Sequence, residues 1–144
     1  MLFLYDIGCT DTHAFIEYNL APHSLRRAIA LLGFLHKRVL GQCHPILLQA
    51  FPFDPDRRWT RHDKTLLSYF EEVRGFRHVY DNSIWEYVLI YNRLTQGLVN
   101  TPSVTAFQSK LTQLTRMRAQ QGDERWREAF QSCYDVMRTL HQGS

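Results

Sequence analysis

The sequence predicts an all-α fold: one small helical domain whose C-terminal third is a helical hairpin. Three observations lead there. The 144 residues, 44% hydrophobic and 13% aromatic, suit a single domain with a modest core. Several segments repeat apolar residues at three- and four-residue steps and are bounded by residues that cap or stop helices. The last two of these segments present their stripes on either side of a short turn at Gln121-Gly122. There is no internal repeat and no low-complexity run. Residues 1–62 read as N-terminal helices and a basic loop, and residues 63–144 as C-terminal helices.

The first helix is expected from about Asp11 to Leu20, capped by Thr10 or Asp11 and closed by Ala21-Pro22. The second runs from Ser24 to Leu40, with Ser24 as N-cap and Gly41 as stop. A short helical turn follows in "HPILLQAF". Phe51 to His62 is a loop, because two prolines and alternating charge leave no helical pattern. A third helix is expected from Asp63 to Gly75, with Leu66, Phe70 and Val73 inward. "DNSIWEYVLIYNRL" fits a helix capped by Ser83, with Ile84, Tyr87, Val88 and Tyr91 on one face; its aromatic and β-branched content also fits a strand, and the helix is preferred. Asn100 to Ser103 breaks the chain and caps the next helix, whose stripe is Val104, Phe107, Leu111, Leu114 and Met117. Asp123 and Glu124 then open a last helix, where acids suit the positive end of the dipole, with Trp126, Phe130, Cys133, Met137 and Leu140 as its stripe.

Charge and cysteine content narrow the function. Net charge is +3, and 14 of the 17 basic residues are Arg, the better residue for two-pronged phosphate or carboxylate contacts. That charge permits nucleic acid without requiring it. Cys9, Cys43 and Cys133 are odd in number and far apart, which favours a reducing intracellular compartment over a disulfide framework; an organelle stays open if a presequence was removed. No apolar run is long enough to span a bilayer, which leaves peripheral association with a membrane complex open. "MLFLYDIGC" lacks the length and basic start of a secretory signal.

No catalytic residue, metal site or cofactor is expected. Cys43-His44 with Cys9 and His13 offers no CxxC pair, and adjacent ligands rarely close one tetrahedron. Glu71-Glu72 reads as a solvated face, and neither a nucleophile elbow nor a Gly-rich phosphate loop is present. Two clusters suggest binding instead. On the Ser24–Leu40 helix, Arg26, Arg27, Lys37 and Arg38 fall opposite the apolar arc with Phe34 among them, a face suited to an RNA backbone or an acidic partner, or simply to solvent. His36 falls inside the apolar arc, where an internal hydrogen bond would satisfy it. In the loop, Arg57, Arg58, Trp59 and Arg61 form the second cluster; Trp and Arg dominate binding hot spots, although Trp59 could instead fold back as a lid. Asp54, Asp56 and Asp63 offset the local positive charge, which points to a protein assembly as partner rather than nucleic acid.

Two blocks carry a family resemblance. "YNRL" at Tyr91–Leu94, "TPSV" at Thr101–Val104, and then Phe107, Lys110 and Leu111 form one. The other is "NLAPHSLRRAIALLGFLHKRVLG" at Asn19–Gly41, with its Arg-Arg pair, apolar run, Leu-x-Lys and Gly. Together they resemble the region downstream of the reverse transcriptase domain in non-LTR (LINE-type) retrotransposon proteins, over roughly Ala14 to Gln131. The family's polymerase chemistry needs paired Asp residues for two metal ions. This sequence has no Asp-Asp pair, and "YDIG" at Tyr5–Gly8 carries a single Asp. The resemblance therefore implies a non-catalytic tail, as a fragment or a reused piece. Two functions are expected: a helical interaction module docking as a structural subunit onto a larger assembly through Trp59, the loop and a basic face, or, as the resemblance suggests, an RNA- or DNA-binding accessory tail of a reverse transcriptase.

Overall fold

A computed structural model describes residues 10–56, 61–68 and 83–143. Among them are seven α-helices: α1 (Asp11–Tyr18), α2 (His23–Val39), α3 (Pro45–Ala50), α4 (Ile84–Asn92), α5 (Gln96–Val99), α6 (Val104–Gln120) and α7 (Cys133–Gly143), with one 3-10 turn at Trp126–Glu128. The only pairing of extended backbone among the described residues is an isolated antiparallel bridge between Phe53 and Leu66. The protein is an all-α domain. Helix α6 is its central strut, touching α1, α2, α5, α7 and the 3-10 turn, while α2 also packs on α4.

Local signals set most helix ends. The Thr10 side chain accepts from the His13 N–H at 3.1 Å and starts α1. That helix ends at Tyr18, earlier than Ala21-Pro22, because Asn19 turns left-handed (φ 56°) and Leu20 N–H reaches back to Ala14 O. Helix α2 is not capped by Ser24: it begins at His23 behind Pro22, whose carbonyl accepts from Arg26 N–H at 3.1 Å. Its other end is as expected. Gly41 adopts φ 73°, and the N–H groups of Gly41 and Gln42 satisfy Arg38 O and Lys37 O. Ser103 caps α6 by accepting from Ala106 N–H at 3.1 Å. "IWEYVLIYN" is a helix, not a strand, although the Ser83 side chain at its N-cap makes no capping hydrogen bond.

Gly33 of α2 lies under the Gln108 side chain of α6. A Cβ on Gly33 would sit 2.8 Å from Gln108 Cδ, so only glycine fits there without movement. Leu25, Ala28, Leu32 and Leu35 from α2 meet Phe107 and Leu111 from α6 in the core. The buried line on α6 then passes through Thr115 and Arg118, while Val104, Leu114 and Met117 from the predicted stripe are only half-buried. Thr115 is satisfied by the Leu111 carbonyl one turn back. Arg118, 1% exposed, donates from Nε to Asp123 at 2.6 Å and from Nη1 to Thr139 Oγ1 at 2.8 Å, tying α6 to α7.

Two predicted helices are corrected. The last helix does not run unbroken from Asp123. A 3-10 turn seats Trp126 against Phe15, ring centroids 4.8 Å apart and nearly parallel, and α7 restarts behind Ser132. The Ser132 hydroxyl accepts from Asp135 N–H and donates to the Asp135 carboxylate at 2.9 Å, a reciprocal cap that resets the helical phase. Val136, Thr139 and Leu140 consequently face inward, whereas Met137 is exposed and Cys133 half-buried. The helix expected from Asp63 does not begin there. Asp63 and Lys64 form a turn and Leu66 is buried in the bridge to Phe53, while Phe70 and Val73 lie outside the described residues.

Candidate interaction face

The loop that carries the basic cluster is stapled at its base. Asp54 N–H donates to Thr65 O at 2.9 Å and Leu67 N–H to Pro52 O at 2.8 Å, closing the two ends on each other. The "YNRL" block then fixes the returning strand to the helices. The Asn92 carboxamide brackets Leu66, accepting from its N–H at 2.8 Å and donating to its carbonyl at 2.9 Å, as a neighbouring β-strand would. One residue earlier, Tyr91 O accepts from His62 Nε2 at 3.0 Å. Gln96 accepts from Asp63 N–H at 3.0 Å and donates to the Asp63 carboxylate at 2.7 Å, and this bond holds that carboxyl below its usual range.

Two buried histidines flank Tyr91, and their partners settle both tautomers. Nδ1 of His62 accepts from Lys64 N–H at 3.0 Å, so Nε2 carries the proton and donates to Tyr91 O. His36 reaches the Thr101 carbonyl through Nε2 at 2.7 Å, so its Nδ1 is the acceptor for the Tyr91 hydroxyl at 2.8 Å. His36 also stacks on Phe107 with centroids 4.1 Å apart. Burial pushes both histidines below the ordinary value of 6.5, partly opposed by the hydrogen bonds to Thr101 O and Tyr91 O. Burial also pushes the Tyr91 phenol far above its usual range. With 0% and 3% exposure, His36 and His62 are buried, and their bonds join the loop, α2, α4 and the turn before α6 into one frame. The internally bonded reading of His36 describes its place in the structure.

The structure places the predicted site residues unequally. Arg57, Arg58 and Trp59 lie outside the described residues. Arg61 is exposed, with Nη1 3.3 Å from the Met137 sulfur. On α2, Arg26, Arg27, Phe34 and Lys37 are exposed, and Phe34 meets Phe51 edge-on at 6.0 Å. Arg38 does not share that face. It is 7% exposed, donates from Nε to Phe51 O at 2.5 Å and from Nη2 to Leu48 O at 3.3 Å, and lies over the Phe53 ring at 4.2 Å. The sequence placed it outward by helical phase; the carbonyls left open at the C-terminal end of α3 and the Phe53 ring recruit it inward. Asn92 belongs to the "YNRL" block and His62 closes the predicted loop, whereas Gln96 was not singled out by the sequence. None of the three carries a local signal of its partner.

Among the described residues no three His, Cys, Asp or Glu side chains gather in a way that could hold a metal ion. Within the same residues no helix is long and apolar enough to cross a membrane. No protein-family model, curated protein or solved structure matches this chain.

Proposed function

We propose that this chain is a non-catalytic helical interaction module, derived from a retroelement, that docks as a structural subunit onto a larger protein assembly. The observation that carries this reading is the stapling of the loop base. Seven hydrogen bonds named above, two between the loop's two ends and five from its C-terminal arm to α4 and α5, hold that base. Holding the base lowers the backbone part of the ordering cost that a loop pays on binding. The retroelement ancestry rests on the resemblance of the two sequence blocks. In the structure, Asn92 of the first block brackets Leu66 and Ser103 caps α6.

A second reading, an RNA- or DNA-binding accessory tail, draws on the exposed Arg26, Arg27 and Lys37 with Phe34 on α2. Internal use of Arg38 removes one cation from that face and weakens it. Pull-downs of the tagged chain from its native cells separate the two. Trp59→Ala and a combined Arg57/Arg58/Arg61→Ala variant are expected to lose a protein partner while keeping the helical circular dichroism of the parent. If neither loses a partner, the loop does not dock. If instead an Arg26/Arg27/Lys37→Ala variant alone loses binding, and the loss tracks salt and RNA, the nucleic-acid reading replaces this one.

A further inference from the structure

His36 and His62 both bond Tyr91 inside the protein, yet they respond differently to an added proton. Nδ1 of His36 accepts from the Tyr91 hydroxyl, which can rotate and offer a lone pair instead. A charged His36 therefore keeps that contact as well as its bond to the Thr101 carbonyl. Nδ1 of His62 accepts from the Lys64 N–H at 3.0 Å, a backbone donor with no lone pair to offer. A proton on that nitrogen sets two donors head to head, so the ring and the Asp63-Lys64 turn must part. The break falls in the arm that α4 and α5 hold through Tyr91 O, Asn92 and Gln96.

The surroundings make His62 the group that titrates in this arm. Among the described residues, Asp63 favours a charge on the ring and Arg61 opposes it. On α4, the Tyr91 ring meets His62 edge-on at 5.6 Å, and burial keeps that phenol protonated. His36 of α2 binds the hydroxyl of the same phenol. Gln96 of α5 is uncharged, and its bond holds the Asp63 carboxyl below the usual range, so Asp63 stays ionised while a histidine titrates. Burial outweighs the pull of Asp63 and keeps the His62 ring neutral at neutral pH.

We propose that His62 is an acid-released latch: protonation at Nδ1 frees the arm from Arg61 to Leu66 from α4 while the helical core stays folded. The closed arm holds the ring neutral, and the open arm returns it to the ordinary value of 6.5. Opening therefore takes up a proton. Its equilibrium constant grows as pH falls through 6.5, by at most about tenfold per pH unit, and levels off below the value of the closed ring. The latch is a property of the fold; its use as a switch rests on the proposed docking function. The arm carries Arg61 of the docking cluster, and an open arm restores the ordering cost that the staples remove.

Amide hydrogen exchange on the full chain tests the latch, with each rate divided by the intrinsic rate at the same pH. Between about pH 7.5 and about pH 5.5, opening at the Lys64 and Leu66 amides should rise severalfold, with about tenfold as the ceiling. Amides in the middle of α6 should stay protected, and the helical circular dichroism should hold. His62→Asn puts an oxygen that does not titrate where it can accept from the Lys64 N–H, as in an Asx turn. That variant should lose the pH dependence at Lys64 and Leu66. Arm opening in the parent that ignores pH, or arm and α6 amides that open together, would overturn the proposal. So would a His62→Asn chain that keeps the pH dependence of the parent, which assigns it to His36. If His62→Asn does not fold, the ring nitrogen NMR shifts of the parent decide. His62 must carry its proton on Nε2 at neutral pH and take up a second one over the range in which Leu66 opens; a ring still neutral when the arm opens contradicts the latch. Docking is judged apart from this, by pull-down at about pH 7.5, where the ring is neutral. A working latch without a partner there would sink docking alone, and a partner on a chain whose arm ignores pH would sink the latch alone.

Discussion

Replacing Asn92 with Ala should loosen the loop measurably without disturbing the helices. The substitution removes both bonds to Leu66, whose side chain and backbone lie in the buried bridge with Phe53. A buried backbone group left without a partner costs about 1–3 kcal/mol, so an N–H and a carbonyl together set a range of roughly 2–6 kcal/mol. Asn92 is half-buried, and water reaching part of the gap brings the expected loss to the lower end, about 2–3 kcal/mol. Against a total stability of roughly 5–15 kcal/mol that is a large share. Urea unfolding reads the loss, and amide hydrogen exchange localises it: the Leu66 N–H should exchange much faster in the variant, while amides in the middle of α6 follow only the global change. Asn92→Asp keeps an acceptor for Leu66 N–H but sets an oxygen against the Leu66 carbonyl, so it should also destabilise while preserving part of the N–H protection. An Asn92→Ala protein of unchanged stability and unchanged Leu66 exchange would refute the bracket.

Stability should fall as pH drops below the ordinary histidine value of 6.5, because burial lowers the folded-state values of His36 and His62. The unfolded chain then binds more protons, so the stabilisation is complete above 6.5 and is lost toward the lower folded values, by up to about 1.4 kcal/mol per pH unit for each ring. Urea midpoints that stay flat from neutral pH to well below 6.5 contradict this. Phe107→Ala and Trp126→Ala should each cost about 3–5 kcal/mol, since Phe107 stacks on His36 and Trp126 on Phe15 within the core; thermal melts matching the parent would rule out that role.

How much of this was legible in the sequence depends on the range of the interaction concerned. Thr10, Ser103, Gly41 and Gly122 act within a turn of their own position, and the helix ends they mark are where local chemistry puts them. Phe107 and Leu111 follow helical phase directly into the core. The misses come from distance. Asn92 meets Leu66 across 26 residues and His36 meets Thr101 across 65, and no local pattern encodes either partner. Arg38 turns inward for carbonyls that exist only once α3 has formed, and the Ser132 cap breaks an apolar stripe that reads as continuous. Of the candidate site, the exposed cations of α2 and Arg61 could be read from spacing and composition. The staples that hold the loop's base could not.

The proposed role of this chain is as part of a protein assembly. Its most direct test is the mass of the native particle that contains it, measured in lysate of its own cells by native electrophoresis with specific detection, before and after nuclease treatment. A particle far heavier than the 17.1 kDa chain is expected, unchanged by nuclease and reduced toward the free chain by the Arg57/Arg58/Arg61→Ala substitutions. A free 17.1 kDa chain, or a particle that collapses when nucleic acid is digested, would contradict it.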